Sequence, residues 1–526
     1  MEADYIVIGA GAAGCALASR IVQQRLGTVL LVEAGGRDRD PRLHVPMAFH
    51  LALQQRRLTH RYAAQPVMAG GSSETWVRGR VLGGSTAING MVYARGEPAD
   101  YDALEAAGNP GWGWADMLPI FLAMEDHGPG DGSSRGPRGP LPITTSPLEG
   151  QLPHAVIQAA VTCGLAHVED VNASSGERIG STPSTIRNGR RVSAARAFLA
   201  DGSGPALRVL TSTTAGHLLF DGPRVVGVRV RRRGSIVDLC ARREVLLAAG
   251  TLESPLLLER SGIGRPEVLH RAGVELRVEQ PHVGERVVEQ RAMTVKVRVR
   301  AGLGHNERLA TRGRRLAATV RYLGCRTGVL ARGPFDLLAL VHASEEADRP
   351  DAQLLVASMS TDDTGLALAD HAGLMIQGVP LRPTTRGSVH ITGPGPRDAP
   401  RVVPRFLETD HDRQVTAGIL RRARELLATD PLRDLVVEEL APGAATVSAE
   451  DAVGYALATG AGIYHAVGSC AMGPNQDDVV DASLRVRGVE GLRVVDASVL
   501  PTMVSGGTAA PTMAVAWRGA DLIAGS

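Results

Sequence analysis

The first 33 residues constrain this chain more than any other stretch. Tyr5-Ile-Val-Ile8 is a short apolar run. Gly9, Gly11 and Gly14 follow with GxGxxG spacing, an Ala-rich run continues to Gln23, and Thr28-Val-Leu-Leu-Val32 ends on Glu33. This is a strand, a tight turn, a helix and a second strand, in the order a nucleotide-binding βαβ unit requires. Gly9 permits the turn, Gly11 lets a pyrophosphate approach the backbone, and Gly14 lets the helix pack closely on the strand. The helix N-terminus offers unpaired N–H groups and a partial positive charge to phosphates. Glu33 is placed to accept hydrogen bonds from both hydroxyls of an adenosine ribose. A free 2′-hydroxyl means FAD or NAD, and the fingerprint alone does not choose between them.

A chain of 526 residues is too long for one simple core, so two domains are expected. Its net charge of +2 gives no reason to expect a nucleic-acid partner. All of its basic residues are arginine except Lys296, the mark of a GC-rich coding sequence such as an actinobacterium's. Cys15, Cys163, Cys240, Cys325 and Cys470 are scattered without CxxC spacing, so neither a metal site nor a disulfide framework is expected. The first strand begins too early to leave room for a signal peptide, and no apolar run reaches the ~18 residues of a membrane span. A soluble, cytoplasmic protein without a membrane partner is the expectation.

Farther along, residues 34–61 are Arg-rich with little periodicity and read as surface loop or lid. Gly83-Gly84-Ser85-Thr86 reads either as a backbone nest with hydroxyl donors, suited to an anion or a ring edge, or as an ordinary Gly turn before a buried helix. Residues 126–150, dense in Gly, Pro and Ser, read as a linker or a flexible surface loop and a candidate domain boundary. Helices are expected at 152–163 and 190–199, strands at 207–210, 217–220, 225–233, 236–241 and 245–248, and a helix at 250–260. Residues 293–450 mix strands (293–300, 338–342, 353–358, 374–379, 388–391) with helices (410–427 and 449–459), the texture of a separate α+β block. A strand at 492–495 places Asp496 at its C-terminal end, where α/β sheets hold ligands.

Gly79-Arg-Val-Leu-Gly-Gly-Ser-Thr-Ala-Ile-Asn-Gly90, with the residues to Asp102, resembles the first signature of the glucose–methanol–choline (GMC) family of FAD-dependent oxidoreductases. Gly250-Thr-Leu-Glu-Ser-Pro-Leu-Leu-Leu-Glu-Arg-Ser-Gly-Ile-Gly264 resembles the second, and the likeness covers essentially the whole chain. The resemblance implies FAD rather than NAD. It implies an α/β fold with a discontinuous Rossmann-like FAD-binding domain (1–150, 200–290, 460–526) and an α+β substrate-binding domain containing an antiparallel sheet (151–199, 291–459). It places Gly9, Gly11, Ala12, Ala13, Gly14, Glu33 and Ala34 on the ADP moiety, and the backbone of Ala215 on adenine. Arg80, Gly83, Gly84, Ser85, Asn89, Gly90, Met91 and Val92 follow the pyrophosphate and isoalloxazine; Gly250, Asp496, Ala497, Pro511 and Thr512 add further contacts. Ile88 stands where some members carry a histidine bonded to the flavin, so the FAD is expected to be non-covalent.

The resemblance also implies oxidation of an alcohol, with hydride passing to flavin N5 and a base taking the hydroxyl proton. His465, in His465-Ala-Val-Gly-Ser-Cys-Ala-Met-Gly473, matches the family's active-site histidine. One departure is plain. The family usually carries a second His or Asn before an Ala-Pro-Thr near the C-terminus; here that position is Ala509, so Thr508, Ser505, a water or a residue of the substrate domain must stand in, or the reaction differs. Asp336 falls near where choline-acting relatives carry an acid in the substrate cavity. If it serves there, an amino alcohol or amino sugar fits; otherwise it is a loop aspartate before a strand. A small-molecule alcohol and oxygen or another electron acceptor are the expected partners. The substitution at Ala509 leaves room for a non-redox or light-driven relative, such as a hydroxynitrile lyase or a fatty-acid photodecarboxylase.

Overall fold

In the computed structural model, which describes residues 1–68, 73–128, 134–200, 204–362 and 367–525, β1 (Glu2–Ile8) lies at the centre of a parallel sheet. Its apolar residues pair with β2 (Val29–Val32) on one side and with the end of Ser235–Leu247 on the other, Ile6 opposite both Leu30 and Val245. Leu207–Leu210 extends the sheet beyond β2, and Leu492–Val494 extends it beyond residues 245–247. Val29–Val32 and residues 245–247, with Tyr5–Ile8 of β1, are buried on both faces and so read as continuous apolar runs rather than alternating ones. Helix α1 (Ala12–Gln23) covers one face with small residues, Ala13, Gly14, Cys15, Ala16 and Ala18. It packs against the C-terminal helix Ala509–Ala524, where Arg20 meets Asp521 at 3.1 Å and stacks over Trp517.

Ser235–Leu247 is one long strand, although the sequence suggested two. Its first half runs antiparallel to Arg224–Arg232, which pairs in turn with Thr213–Asp221. Arg242 and Arg243 looked like a break because they are polar. They are the exposed side chains of a continuous strand, and Arg242 reaches Asp4 at 3.0 Å.

The second sheet is antiparallel except at one short edge pair. Its main order is Val436–Ala441, Arg291–Val299, Gly373–Pro380, Ala352–Ala357, Leu337–Val341, Arg178–Ser181. Register sets what its faces carry. Thr294 lies opposite Gln377, which lies opposite Leu355; Lys296 lies opposite Met375. Opposed residues share a face, and Gln353 joins them two residues from Leu355. Gly378 points the other way, under helix Asp410–Leu427: a Cβ there would stand 2.1 Å from Ile419 Cγ2.

Other expectations need correction. Residues 190–199 are not one helix: Arg190–Arg191 pairs with Ile186–Arg187, and only Ala194–Phe198 is helical, capped by Ser193. The stretch after Glu33 is structured, with the short helix Phe49–Leu53 and the strand Thr59–Ala63 paired to Thr75–Gly79. Part of the expected linker, 129–133, lies outside the described residues; Glu125–Asp126 pairs with Leu141–Pro142 across it. Helices Pro98–Ala106, Trp114–Met124 and Arg312–Cys325 carry no sequence expectation. Among the described residues no helix is long and apolar enough to cross a membrane.

Candidate active site

Both sheets contribute to one cavity of about 1480 Å³. Its nucleotide end is made chiefly of backbone. Gly9 has φ +103°, and a Cβ there would sit 2.4 Å from the Ala248 carbonyl oxygen. Gly14 lies outside the cavity wall; its Cβ would fall 1.8 Å from the Gly9 oxygen, which is the close helix–strand approach expected of it. Gly11 faces the cavity, where a Cβ would meet nothing nearer than Gly84 Cα at 3.9 Å. Gly84, at φ +53°, leaves no such room: its Cβ would be 2.6 Å from Gly11 Cα. Gly250, at φ +89°, opens on the cavity with nothing within 4 Å. This glycine cradle is what a pyrophosphate running against the backbone needs, so the residues fit the expected cofactor.

Ala12, Ala13, Ala34, Ala215 and Ala497 complete the same wall. Glu33 accepts hydrogen bonds from Ala10 N at 3.1 Å and Gly35 N at 2.7 Å. Burial pushes its carboxyl up to about 7, against the pull of those N–H groups and Arg80. Asp496 is a loop anchor as well as a wall residue: Oδ2 accepts from Gly250 N at 2.8 Å and Ser254 Oγ at 2.6 Å, and Oδ1 from Ser498 N at 2.9 Å.

The Gly83–Gly84 nest is present but arranged differently from expectation. Gly83 lies outside the lining and ties the segment to Ala10 O at 2.8 Å. Thr86 donates to Gly83 O and accepts from Ala194 N, so its hydroxyl is spent on the fold. Ser85 Oγ accepts from Gly79 N at 3.1 Å and keeps its proton to donate. Arg80, Asn89, Gly90, Met91, Val92 and Thr512 line the cavity, whereas Pro511 is buried in the helix behind it. Ile88 lines the wall as well.

His465 stands where the two sheets meet, just beyond the pairing of Arg291 with Gly462. Its Nδ1 is 2.7 Å from Gln290 Oε1. The Gln290 amide nitrogen donates to Pro380 O at 2.8 Å and Leu381 O at 3.2 Å, which fixes the amide with its oxygen toward the ring. Nδ1 therefore carries the proton, and Nε2 keeps its lone pair. Glu289, fully buried, anchors the histidine's backbone, accepting from His465 N at 2.9 Å and Ala466 N at 3.0 Å. Burial, with Arg78 nearby, pulls the imidazole down to about 4, so it is neutral at neutral pH. Gly507 keeps the space beside Nε2: a Cβ there would lie 3.4 Å from it. Cys470 is buried, and that burial pushes its thiol up, consistent with packing.

Two substrate expectations meet different fates. Ala509 lines the cavity at the start of the last helix and has no hydrogen-bonding side chain. Ser505 is no substitute, since it bonds Asp100 at 3.0 Å and Arg382 at 2.7 Å; Thr508 does reach the wall. Asp336 lies outside the lining, a correction to its expected place. Its buried carboxylate meets Arg332 Nη2 at 3.2 Å and Ser358 N at 2.8 Å, with His305 at 3.6 Å; burial would push the carboxyl up, but His305 and Ser358 pull it below the usual carboxylate range. The residue is the loop aspartate before a strand.

Three wall residues escaped the sequence reading. Gln353 comes to the Gly506–Gly507 turn: a Cβ at Gly506 would lie 3.7 Å from its Oε1. Lys296 donates to the carbonyls of Thr361 at 3.3 Å and Asp362 at 2.7 Å. Arg78 stacks on Trp76 and Tyr464. Each sits in an ordinary strand pattern, and only the singularity of Lys296 was a signal.

A nucleotide-binding sheet that shares its cleft with an antiparallel sheet, where a half-buried neutral imidazole faces the cavity, is the architecture of a flavin-dependent oxidoreductase. GMC oxidoreductase family models match residues 3–292 and 383–516, so the chain belongs to the GMC oxidoreductase family and is FAD-dependent. An oxygen-dependent choline dehydrogenase of Brucella anthropi is 32% identical over all of this chain and 96% of its own length. An alcohol dehydrogenase [acceptor] of Pseudomonas putida is also 32% identical, over 99% of this chain and 95% of its own. The solved structure of pyridoxine 4-oxidase from Mesorbium loti is 31% identical, with TM-score 0.88 over 98% of both chains. The chain is an alcohol oxidoreductase acting on CH–OH donors.

Proposed function

We propose that this enzyme oxidises an alcohol to the aldehyde or ketone with His465 as the general base and non-covalent FAD as cofactor. FAD held along Gly11, Gly84 and Asp496 would supply the hydride acceptor. Nε2 of His465 takes the hydroxyl proton, because the Gln290 carbonyl oxygen holds the other nitrogen as N–H. That bare Nε2 is the observation that carries the reading. Ile88 offers no atom for a bond to the flavin, so denaturation is expected to release it.

Gln353 takes the role that Ala509 has lost. Its amide lies at the turn flanking Nε2 and donates to the substrate oxygen from the opposite sheet. Because Asp336 is committed to Arg332 and Ser358, an amino-sugar or amino-alcohol substrate has no carboxylate there to meet it. Among the described residues, Lys296 is instead the charged side chain on the sheet face of Thr294, Gln353 and Gln377 that lines the cavity, which favours a neutral or anionic alcohol.

We take residues 1–150, 200–290 and 460–526 as the FAD-binding domain and 151–199 and 291–459 as the substrate-binding domain; the nucleotide-binding sheet lies in the first set and most of the antiparallel sheet in the second. A panel of neutral, acidic and cationic alcohols under air, with flavin reduction and peroxide recorded together, tests the reading. Flavin bleaching by an alcohol supports it and peroxide marks oxygen as the acceptor. Flavin that stays oxidised while an aldehyde or carbon dioxide appears overturns it in favour of the non-redox relatives.

A further inference from the structure

Helix Arg312–Cys325 stands apart from the rest of the molecule in what it exposes. Leu316 is 65% exposed, Val320 62% and Leu323 73%. Their spacing of four and three residues sets them on one side of the helix. Arg312 and Arg315 border that stripe on one flank, while Arg314 and Arg321 lie nearer the opposite side of the helix. The helix contains no acidic residue. Arg314 Nη1 donates to Glu307 O at 2.7 Å, Arg315 Nε to Leu309 O at 2.7 Å and Arg321 Nε to Thr327 Oγ1 at 3.1 Å. Among the described residues no carboxylate lies within ion-pair distance of these guanidinium groups.

Only the opposite side of the helix is held. Tyr322 is buried, and Ala318 packs on a small cluster of Met47, Leu309 and Val329. That cluster includes Phe335 and Met375, whose other surfaces line the cavity at the substrate end. The exposed stripe is thus the outer side of the apolar layer that walls the substrate site.

We propose that this helix docks the enzyme onto an anionic lipid surface, with Leu316, Val320 and Leu323 entering the acyl boundary and the flanking arginines meeting lipid phosphates. An apolar stripe bordered by arginine, with no acid to neutralise it, is the pattern of an interfacial helix. Charge complementarity selects this occupant: a second copy would bring like-charged arginines to the same contact, whereas anionic headgroups attract each of them.

The test is co-sedimentation of the FAD-loaded enzyme with vesicles of phosphatidylcholine alone and of phosphatidylcholine with phosphatidylglycerol, at low and high salt. Binding is expected on the anionic vesicles, weakened by salt and nearly absent on phosphatidylcholine. Leu316→Glu with Leu323→Glu is expected to weaken binding at least tenfold. Arg312→Gln with Arg315→Gln is expected to weaken it roughly fivefold per arginine at low salt. Both variants should keep their flavin, because neither touches the cavity. Three outcomes overturn the proposal: no binding to anionic vesicles, equal binding by wild type and both variants, or a dimer in sedimentation velocity that the glutamate variant dissociates while vesicles bind nothing.

Discussion

At the expected nucleotide end the cavity wall is mostly backbone; at the expected substrate end it is side chains from separate segments. Gly11, Gly84 and Gly250 make the first surface, and their spacing follows from local chain geometry. Gln353 and His465 face the second, with Gln290 holding the histidine from behind, and these residues meet only through the tertiary fold. The contrast teaches where function can change. Altering the backbone end disturbs the fold that shapes it, whereas an exchange at the substrate end, such as Asn or His for Ala509, leaves the strands in place and rewrites the chemistry.

The largest effect should come from His465→Ala, which removes the base and lowers kcat by about 10²- to 10⁴-fold while FAD content stays unchanged. Steady-state kinetics with flavin quantified per chain would check it, and loss of flavin in this variant would break the separation of the two ends. At the nucleotide end, Glu33→Gln removes a charged acceptor. It should weaken FAD binding roughly tenfold to hundredfold in a fluorescence titration without altering substrate preference. Gln353→Leu sharpens the comparison from the other side: kcat/KM should fall about tenfold with flavin retained, and no fall would return the second contact to Thr508.

A pH profile should show little. The neutral imidazole is the active form, and protonation removes it as pH falls through about 4, so kcat/KM should be level from about pH 8 down to 6 and decline only on the acid side near that value. A midpoint near 6.5 would mean that burial does not govern the ring. The smallest functional effect belongs to Asp336→Leu. It should leave the ratio of KM values for cationic and neutral alcohols unchanged while costing about 3 kcal/mol of stability, because Arg332 loses a buried partner. A selective rise in KM for cationic alcohols would put Asp336 back in the substrate site.

What the sequence disclosed follows the same division. The βαβ unit, the helices Asp410–Leu427 and Ala449–Thr459 and the glycine positions of the cradle were legible, because local periodicity or backbone conformation dictates them. His465 was legible through its motif, but its tautomer was not, since Gln290 lies 175 residues away and reaches it across two strands. Asp336 misled for the reverse reason: an acid beside apolar neighbours looks the same in sequence whether it faces a ligand or a buried arginine. Gln353 sits in an apolar strand whose alternation says that it has a face but not what that face looks onto.

The proposed reaction requires a proton to leave the alcohol through His465 as the flavin is reduced. Rapid anaerobic mixing of wild type and His465→Gln with a reactive alcohol, following flavin absorbance, tests this most directly. Fast bleaching in the wild type and bleaching slowed by at least a hundredfold in the variant is the predicted result. Equal rates of bleaching in the two proteins would contradict it.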